Sequence, residues 1–250
     1  AGALERRFRA LGGTVHCSAE VERVEVSGRR AVGVRTRAGD RYAARHAVLA
    51  DVSAPLLYGR LLRAEDVPRR TARSMRDFRL DPSTVKVDWA LSGPVPWAAP
   101  PPVAPGTVHV ADSLEELAVT QAQLATNVVP AHPYLLAGQM TTSDPTRSPA
   151  GTESLWAYTH VPQRTDRDAG DGSIRGVWDR EDCERFGDRV QARLERLAPG
   201  FGERVLSRRV LGPREFEERD ASLVGGAINA GTSQLFQELV FRPVPGTGRP

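Results

Sequence analysis

The sequence predicts an α/β layer joined to an α+β lobe built on antiparallel strands. Three observations predict it. Between Gly12 and Asp51 a hairpin and an apolar run follow a short helix. After Pro82 the character changes to amphipathic strands carrying large side chains. Cys183, Phe186, Val190, Leu194 and Leu197 then recur at alternating threes and fours, the spacing of a helix laid on such a sheet.

Each element has its own warrant. Leu4, Phe8 and Leu11 mark one face of a helix, and Gly12-Gly13 suits its left-handed end. Val24 and Val26 flank Glu25, and Val32 and Val34 precede Arg35, so two strands each cover one face. Ser27-Gly28-Arg29-Arg30 is the reversal between them. Ala47-Val48-Leu49-Ala50 has no alternation and reads as a strand buried on both faces, running into Asp51. Ser53 is placed to cap a helix through Leu56, Leu57, Leu61 and Leu62, with Pro55 in its first turn, and Pro68 opens another to about Phe78.

Beyond Pro82, Val85, Val87, Trp89 and Leu91 alternate with Lys86, Asp88 and Ala90, an amphipathic strand. Gly93 to Gly106 is a proline-rich loop. Ser113-Leu114-Glu115-Glu116 matches a capping box and predicts a helix to about Leu124. Tyr134–Thr141 and Leu155–His160 read as strands, separated by the loop Ser143–Gly151. Gln163–Gly176 reads as an exposed loop, Pro199-Gly200 stops the long helix, and Val205–Val210 is strand-like. The α+β lobe spans about 61–212.

Composition narrows the function classes. The chain has 250 residues, net charge +3 and a single lysine, Lys86, among its bases. Basic and acidic residues are interspersed, as in Arg214-Glu215-Phe216-Glu217-Glu218-Arg219, which argues against nucleic acid as a partner. Cys17 and Cys183 stand far apart, and His16, His46, His109, His132 and His160 keep no ligand spacing, so no metal is expected. No stretch reaches the roughly 18 apolar residues that span a bilayer. No nucleophile elbow, phosphate loop or His-Glu-x-x-His occurs, which leaves hydrolase, NTPase and metalloprotease readings without an anchor. A cytoplasmic location is expected, with peripheral membrane contact left open. The start at Ala1, inside a helical pattern, reads as that of a fragment.

Taken together, Gly12-Gly13, Ala19-Glu20-Val21-Glu22-Arg23-Val24, Ala31-Val32-Gly33-Val34, Gly39-Asp40 and Ala47-Val48-Leu49-Ala50-Asp51 resemble the late part of the FAD-binding domain of two-domain flavoproteins of the phytoene-desaturase and amine-oxidase type. Leu135-Leu136-Ala137-Gly138-Gln139, Asp144 to Gly151 and Leu155 to Pro162 are similar to the branch described as pyridine nucleotide-disulphide oxidoreductase-like. The resemblance implies a partial Rossmann-like FAD-binding domain over 1–60, an inserted antiparallel-sheet substrate domain over 61–212, and a return segment over 213–250. It implies FAD as cofactor, Val21 touching the adenine through backbone atoms, and Ala50 and Asp51 along the cofactor edge. Gly225 and Gly226, in Leu223-Val224-Gly225-Gly226-Ala227-Ile228-Asn229, fall on the substrate side, with Trp156 and Tyr158 lining an apolar channel. The implied reaction moves a hydride from a C–H bond of a small apolar substrate to flavin, with no obligatory acid–base residue. The hairpin layer and the glycine pair are then expected to flank one cleft.

Plainer readings stand beside these. Gly225-Gly226 is equally a turn, aromatic residues on strands such as Trp89, Trp156 and Tyr158 are usually core, and His160 reads as a hydrogen-bonded structural histidine. A pyrophosphate cradle needs Gly-x-Gly-x-x-Gly opening a helix, and none occurs; Gly246-Thr247-Gly248 reads as a tail. On the resemblance the main pyrophosphate site lies upstream of Ala1 and the flavin-binding helix beyond Pro250, so the 250 residues alone would bind FAD weakly or not at all and be inactive. The competing class is a cofactor-free binding module presenting a β-rich groove.

Overall fold

The computed structural model describes residues 2–244. They divide into two compact units, one running through Phe78 and rejoined from Val240, the other Arg79–Leu239. Gly246-Thr247-Gly248 lies outside the described residues. The division at 60/61 and 212/213 concerns roles rather than compactness and remains a proposal.

In the first unit, helix α1 (Gly2–Ala10) ends as its sequence predicts. Gly12 takes φ +87°, and the Gly13 amide reaches back to the Phe8 carbonyl at 3.0 Å. Strands β1 (Val21–Ser27) and β2 (Arg30–Thr36) pair antiparallel, with Val24 opposite Val34. Gly28 and Arg29 both have positive φ, the two-residue reversal whose twist matches the strands. Strand β3 (Arg41–Ala43) joins the far side of β2, leaving β1 at an edge.

Ala47–Ala50 corrects an expectation. It forms no strand, and Leu49 is 94% exposed. A strand buried on both faces needs strand neighbours and covering layers; the antiparallel sheet β1-β2-β3 does not take it as a neighbour. Ser53 also departs from its expected role. Helix α2 (Ala54–Leu56) runs into a π-helical turn, Leu57–Leu61, with Pro55 in its first turn, yet the Ser53 hydroxyl makes no capping bond and is buried without a partner among the described residues. Helix α3 (Arg69–Arg76) follows Pro68.

The second unit is organised by the strands whose alternation is clearest. Strand β4 (Ser83–Leu91) sends Val85, Val87, Trp89 and Leu91 inward. Strand β5 (Thr107–Val110), helix α4 (Leu114–Ala125) and the short β6 (Val128–Val129) follow. Ser113 caps α4, accepting from the Glu116 amide at 3.1 Å, while the Glu116 carboxylate accepts from the Asp112 amide. Strand β7 (Leu135–Gln139) stops before Thr141, because the buried Glu153 carboxylate takes the Thr141 and Thr142 amides and a helical turn, α5 (Met140–Ser143), forms there.

Strand β8 (Glu153–Val161) is the centre of a five-stranded antiparallel sheet, completed by β10 (Val205–Leu211) in the order β10-β4-β8-β7-β5. The 163–176 stretch is less loose than its polarity implies. Its β9 (Arg167–Asp168) pairs parallel with β6. Helix α6 (Arg180–Leu197) buries Cys183, Phe186, Val190 and Leu194 against the sheet. Each such side chain contributes roughly 1.5–3 kcal/mol over exposure. Gly200, at φ +83°, follows the helix where the sequence stops it. Helix α7 (Pro213–Arg219) leads into the return segment. Among the described residues no helix is long and apolar enough to cross a membrane.

Candidate functional site

Period two on β8 sorts its side chains between two faces. Leu155, Ala157 and Val161 enter the core under α6, whereas Trp156, Tyr158 and His160 stay half-buried on the opposite face. Trp89 is core, edge-on to Phe201, as its plainer reading has it, whereas Trp156 and Tyr158 lie on the opposite face. The three β8 rings form a row. Trp156 and Tyr158 stack with centroids 5.9 Å apart and planes 17° apart, and Tyr158 meets His160 edge-on at 5.9 Å. Cross-strand register places Asp88, Lys86 and Thr84 of β4 beside Trp156, Tyr158 and His160 in turn. On the other side Gly138 of β7 lies opposite Trp156. A Cβ at 138 would sit 2.3 Å from the indole, so the missing side chain is what lets the ring lie across the strand.

His160 is not the hydrogen-bonded structural histidine expected of it. Its Nδ1 is buried and has no partner among the described residues, and the same is true of Thr84 Oγ1 directly opposite. His160 borders a cleft of about 620 Å³ with Arg79, Asp81, Gln121, Gln163 and Asn229. The backbone around that cleft is firmly tied. Gln163 Nε2 donates to the Asp81 carbonyl at 2.8 Å, Asn229 Nδ2 donates to the Asp81 carboxylate at 2.8 Å, and the Asp81 amide donates to the Ala230 carbonyl at 2.9 Å. Thr84, Asp81, Gln163 and Asn229 were not legible as site residues, since strand register and the return of residues 225–237 bring them together.

Gly225 and Gly226 serve close packing within the second unit. Their φ values are +61° and +73°. A Cβ on Gly225 would lie 2.3 Å from the Gln163 side chain, and one on Gly226 would lie 2.6 Å from Pro213 Cα. Ser83 Oγ donates to the Gly225 carbonyl at 2.7 Å, and the Gly225 amide donates to Glu217 at 2.9 Å. The groups that approach these glycines are therefore the chain's own.

The remaining expected residues lie in the first unit. Val21 is half-buried at the start of the edge strand β1, opposite Thr36. Ala50 and Asp51 are exposed outside any helix or strand. Of the expected set, the structure groups Val21, Ala50 and Asp51 in one unit and Trp156, Tyr158, Gly225 and Gly226 in the other. A second cleft in the larger unit is bordered by Cys183, Arg208 and Glu215. Burial, with Asp182 and Asp179 adding, pushes the Cys183 thiol up to about 11, which makes it a poor nucleophile. Among the described residues no three His, Cys, Asp or Glu side chains converge to hold a metal ion.

No family model matches the chain. Pyridine nucleotide-disulfide oxidoreductase domain-containing protein 2 of Rattus norvegicus is 36% identical over 102 residues, which is 41% of this chain and 16% of that protein. Its Mus musculus counterpart is 35% identical over 102 residues, again 16% of its length. The chain thus matches a minor part of the curated relatives. Among solved structures, the PF1083 protein from Pyrococcus furiosus superimposes with a TM-score of 0.53 at 12% identity, covering 83% of this chain and 40% of that one. That likeness concerns the fold alone.

Proposed function

We propose that the chain is part of an FAD-dependent oxidoreductase that takes a hydride from a C–H bond of a small apolar substrate. The observation that carries this reading is the 36% identity over 102 residues to a protein named for a pyridine nucleotide-disulfide oxidoreductase domain. In this reading residues 1–60 belong to the cofactor domain, 61–212 to the substrate domain, and 213–250 return toward the cofactor.

The residues present fit part of the cofactor. Strand β1 is a sheet edge, so one side of its backbone pairs with no strand among the described residues, as an adenine held by the Val21 main chain requires. Ala50 and Asp51 lie exposed on the same unit and are assigned to the cofactor's edge. When bound, the flavin supplies a hydride acceptor. Everything else falls to the protein. Trp156 and Tyr158 present a flat, half-buried surface that orients an apolar ligand and keeps water off it. Gly225 and Gly226, assigned to the substrate side, hold the return segment close against Gln163 and Pro213.

The test is the colour of the longest natural protein that contains these residues. Purified, it is expected to absorb in the visible as flavoproteins do and to release FAD on denaturation. A colourless preparation that also takes up no added FAD would remove the oxidoreductase reading.

A further inference from the structure

The aromatic row on β8 does not stop at Tyr158. It continues into His160, where two polar atoms lie buried without partners among the described residues on directly opposed residues, His160 Nδ1 and Thr84 Oγ1. Thr84 is only 1% exposed. Burying a hydroxyl or imidazole nitrogen unpaired forfeits its hydrogen bonds to water, so two side by side call for a common partner. Opposed residues on one sheet face have Cβ atoms roughly 5 Å apart, a separation a single oxygen can bridge.

The chemistry of the surroundings selects the partner. His160 borders the cleft of about 620 Å³, whose only charged lining residues among the described residues are Arg79 and Asp81. The Asp81 carboxylate is engaged by Asn229, and the Arg79 guanidinium lies over the Phe236 ring at 5.5 Å. The rest of the polar lining is carboxamide and hydroxyl, from Gln121, Asn127, Gln163, Thr232 and Ser233 among others. An ionic group would lose its hydration against neutral dipoles there, whereas a hydroxyl or carbonyl exchanges one set of hydrogen bonds for another.

We infer that Thr84 and His160 form a subsite for an uncharged oxygen, a hydroxyl or carbonyl, on a ligand whose flat apolar body lies along Tyr158 and Trp156. The ligand class is thus amphipathic and neutral, rather than wholly apolar. This rests on the reading above only in taking this sheet face as the ligand side. A hydroxyl satisfies both partners at once, accepting from the Thr84 hydroxyl and donating to His160 Nδ1 in the tautomer that leaves this nitrogen bare.

The experiment titrates the 250-residue chain with benzyl alcohol, acetophenone, toluene and benzoate, following the His160 imidazole and Trp156 indole resonances by NMR. Benzyl alcohol and acetophenone are expected to move both signals together and to saturate at concentrations roughly fivefold lower than toluene, the worth of about one net hydrogen bond. Benzoate is expected to bind more weakly than the alcohol. In Thr84→Val the advantage of the alcohol over toluene should shrink, and in Thr84→Val with His160→Leu it should vanish. Both variants remove buried unpaired atoms, and thermal unfolding checks that they fold. Equal affinity for toluene and the alcohol, a ratio unchanged by the variants, or no movement of either resonance by any compound overturns the inference. Failure of the flavin reading is a separate event: a colourless full-length protein that keeps the alcohol-to-toluene ratio.

Discussion

At the scale of single residues, backbone geometry is the sharpest constraint. Gly226 combines a positive φ with a space that Pro213 already fills, so Gly226→Ala should cost about 2 kcal/mol or more in urea unfolding. Gly39, at φ +95° with nothing within 4 Å of a built Cβ, carries the conformational cost alone, and Gly39→Ala should cost less. A similar logic separates two changes at Val21 in the proposed cofactor domain. Because main-chain atoms make the assigned contact, Val21→Ala should retain FAD in the full-length protein and Val21→Pro should lose it. Equal retention measured by bound flavin would refute that assignment. The two cysteines form a further contrast. Cys17 is exposed, while the Cys183 thiol is pushed up to about 11. At pH 8 the thiolate fraction of Cys183 is then on the order of 0.1%. Iodoacetamide should label Cys17 alone, as mass spectrometry of the alkylated protein would report.

At the scale of elements, the polar 163–176 stretch shows how an apparently solvated loop becomes part of a fold. Asp168 and Arg189 of α6 form a two-pronged pair at 2.7 Å on each prong, and Arg189 also donates to the Pro130 carbonyl at 3.0 Å. The Asp168 side chain is 1% exposed. Burial raises its carboxyl, but the Arg189 hydrogen bond and the Gly170 and Ile174 amides outweigh that and hold it below the usual carboxylate range. A depressed folded pKa gives stability that is complete above the unfolded value, about 3.9, and is lost as pH falls through the folded value. Asp168→Asn should therefore cost about 3 kcal/mol near neutral pH, because it leaves a mostly buried guanidinium with only the exposed Asp171 carboxylate, at 3.3 Å, as counter-charge. The gap between the two proteins should narrow below about pH 4 in urea titrations. Strands β4 and β8 and helix α6 were legible in the sequence because each covers one face, and period is then a local signal. Ala47–Ala50 was misread because an apolar run states that it wants cover without stating which strands supply it. Strands β6 and β9 are two residues each and carry no period at all. The pairing of Thr84 with His160 is a matter of register between strands some 70 residues apart, which no local pattern encodes.

At the scale of the whole molecule, the two units differ in how much they bury. The larger surrounds α6 and its sheet with a continuous core. In the smaller, α1 has no buried residue, and Leu4, Leu11 and Leu49 are 77%, 69% and 94% exposed. Local opening follows poor burial, so brief trypsin treatment should cut first among Arg6, Arg7, Arg9 and Arg45. Cuts after Lys86, in strand β4 between β10 and β8, should come only after global unfolding, and mass spectrometry of the early fragments decides the order. A mixed α/β class with antiparallel sheets was readable from period, while a Rossmann-like character of the first unit and the division of labour between the units rest on the proposed function.

The glycine beneath Trp156 carries a consequence for design. The indole contributes a floor, but its tilt is governed by position 138 on the next strand, which contributes no side-chain atoms. Enlarging that residue in small steps would lift the ring like a hinged tile. The texture of the whole aromatic surface could then be tuned without touching any side chain that forms it.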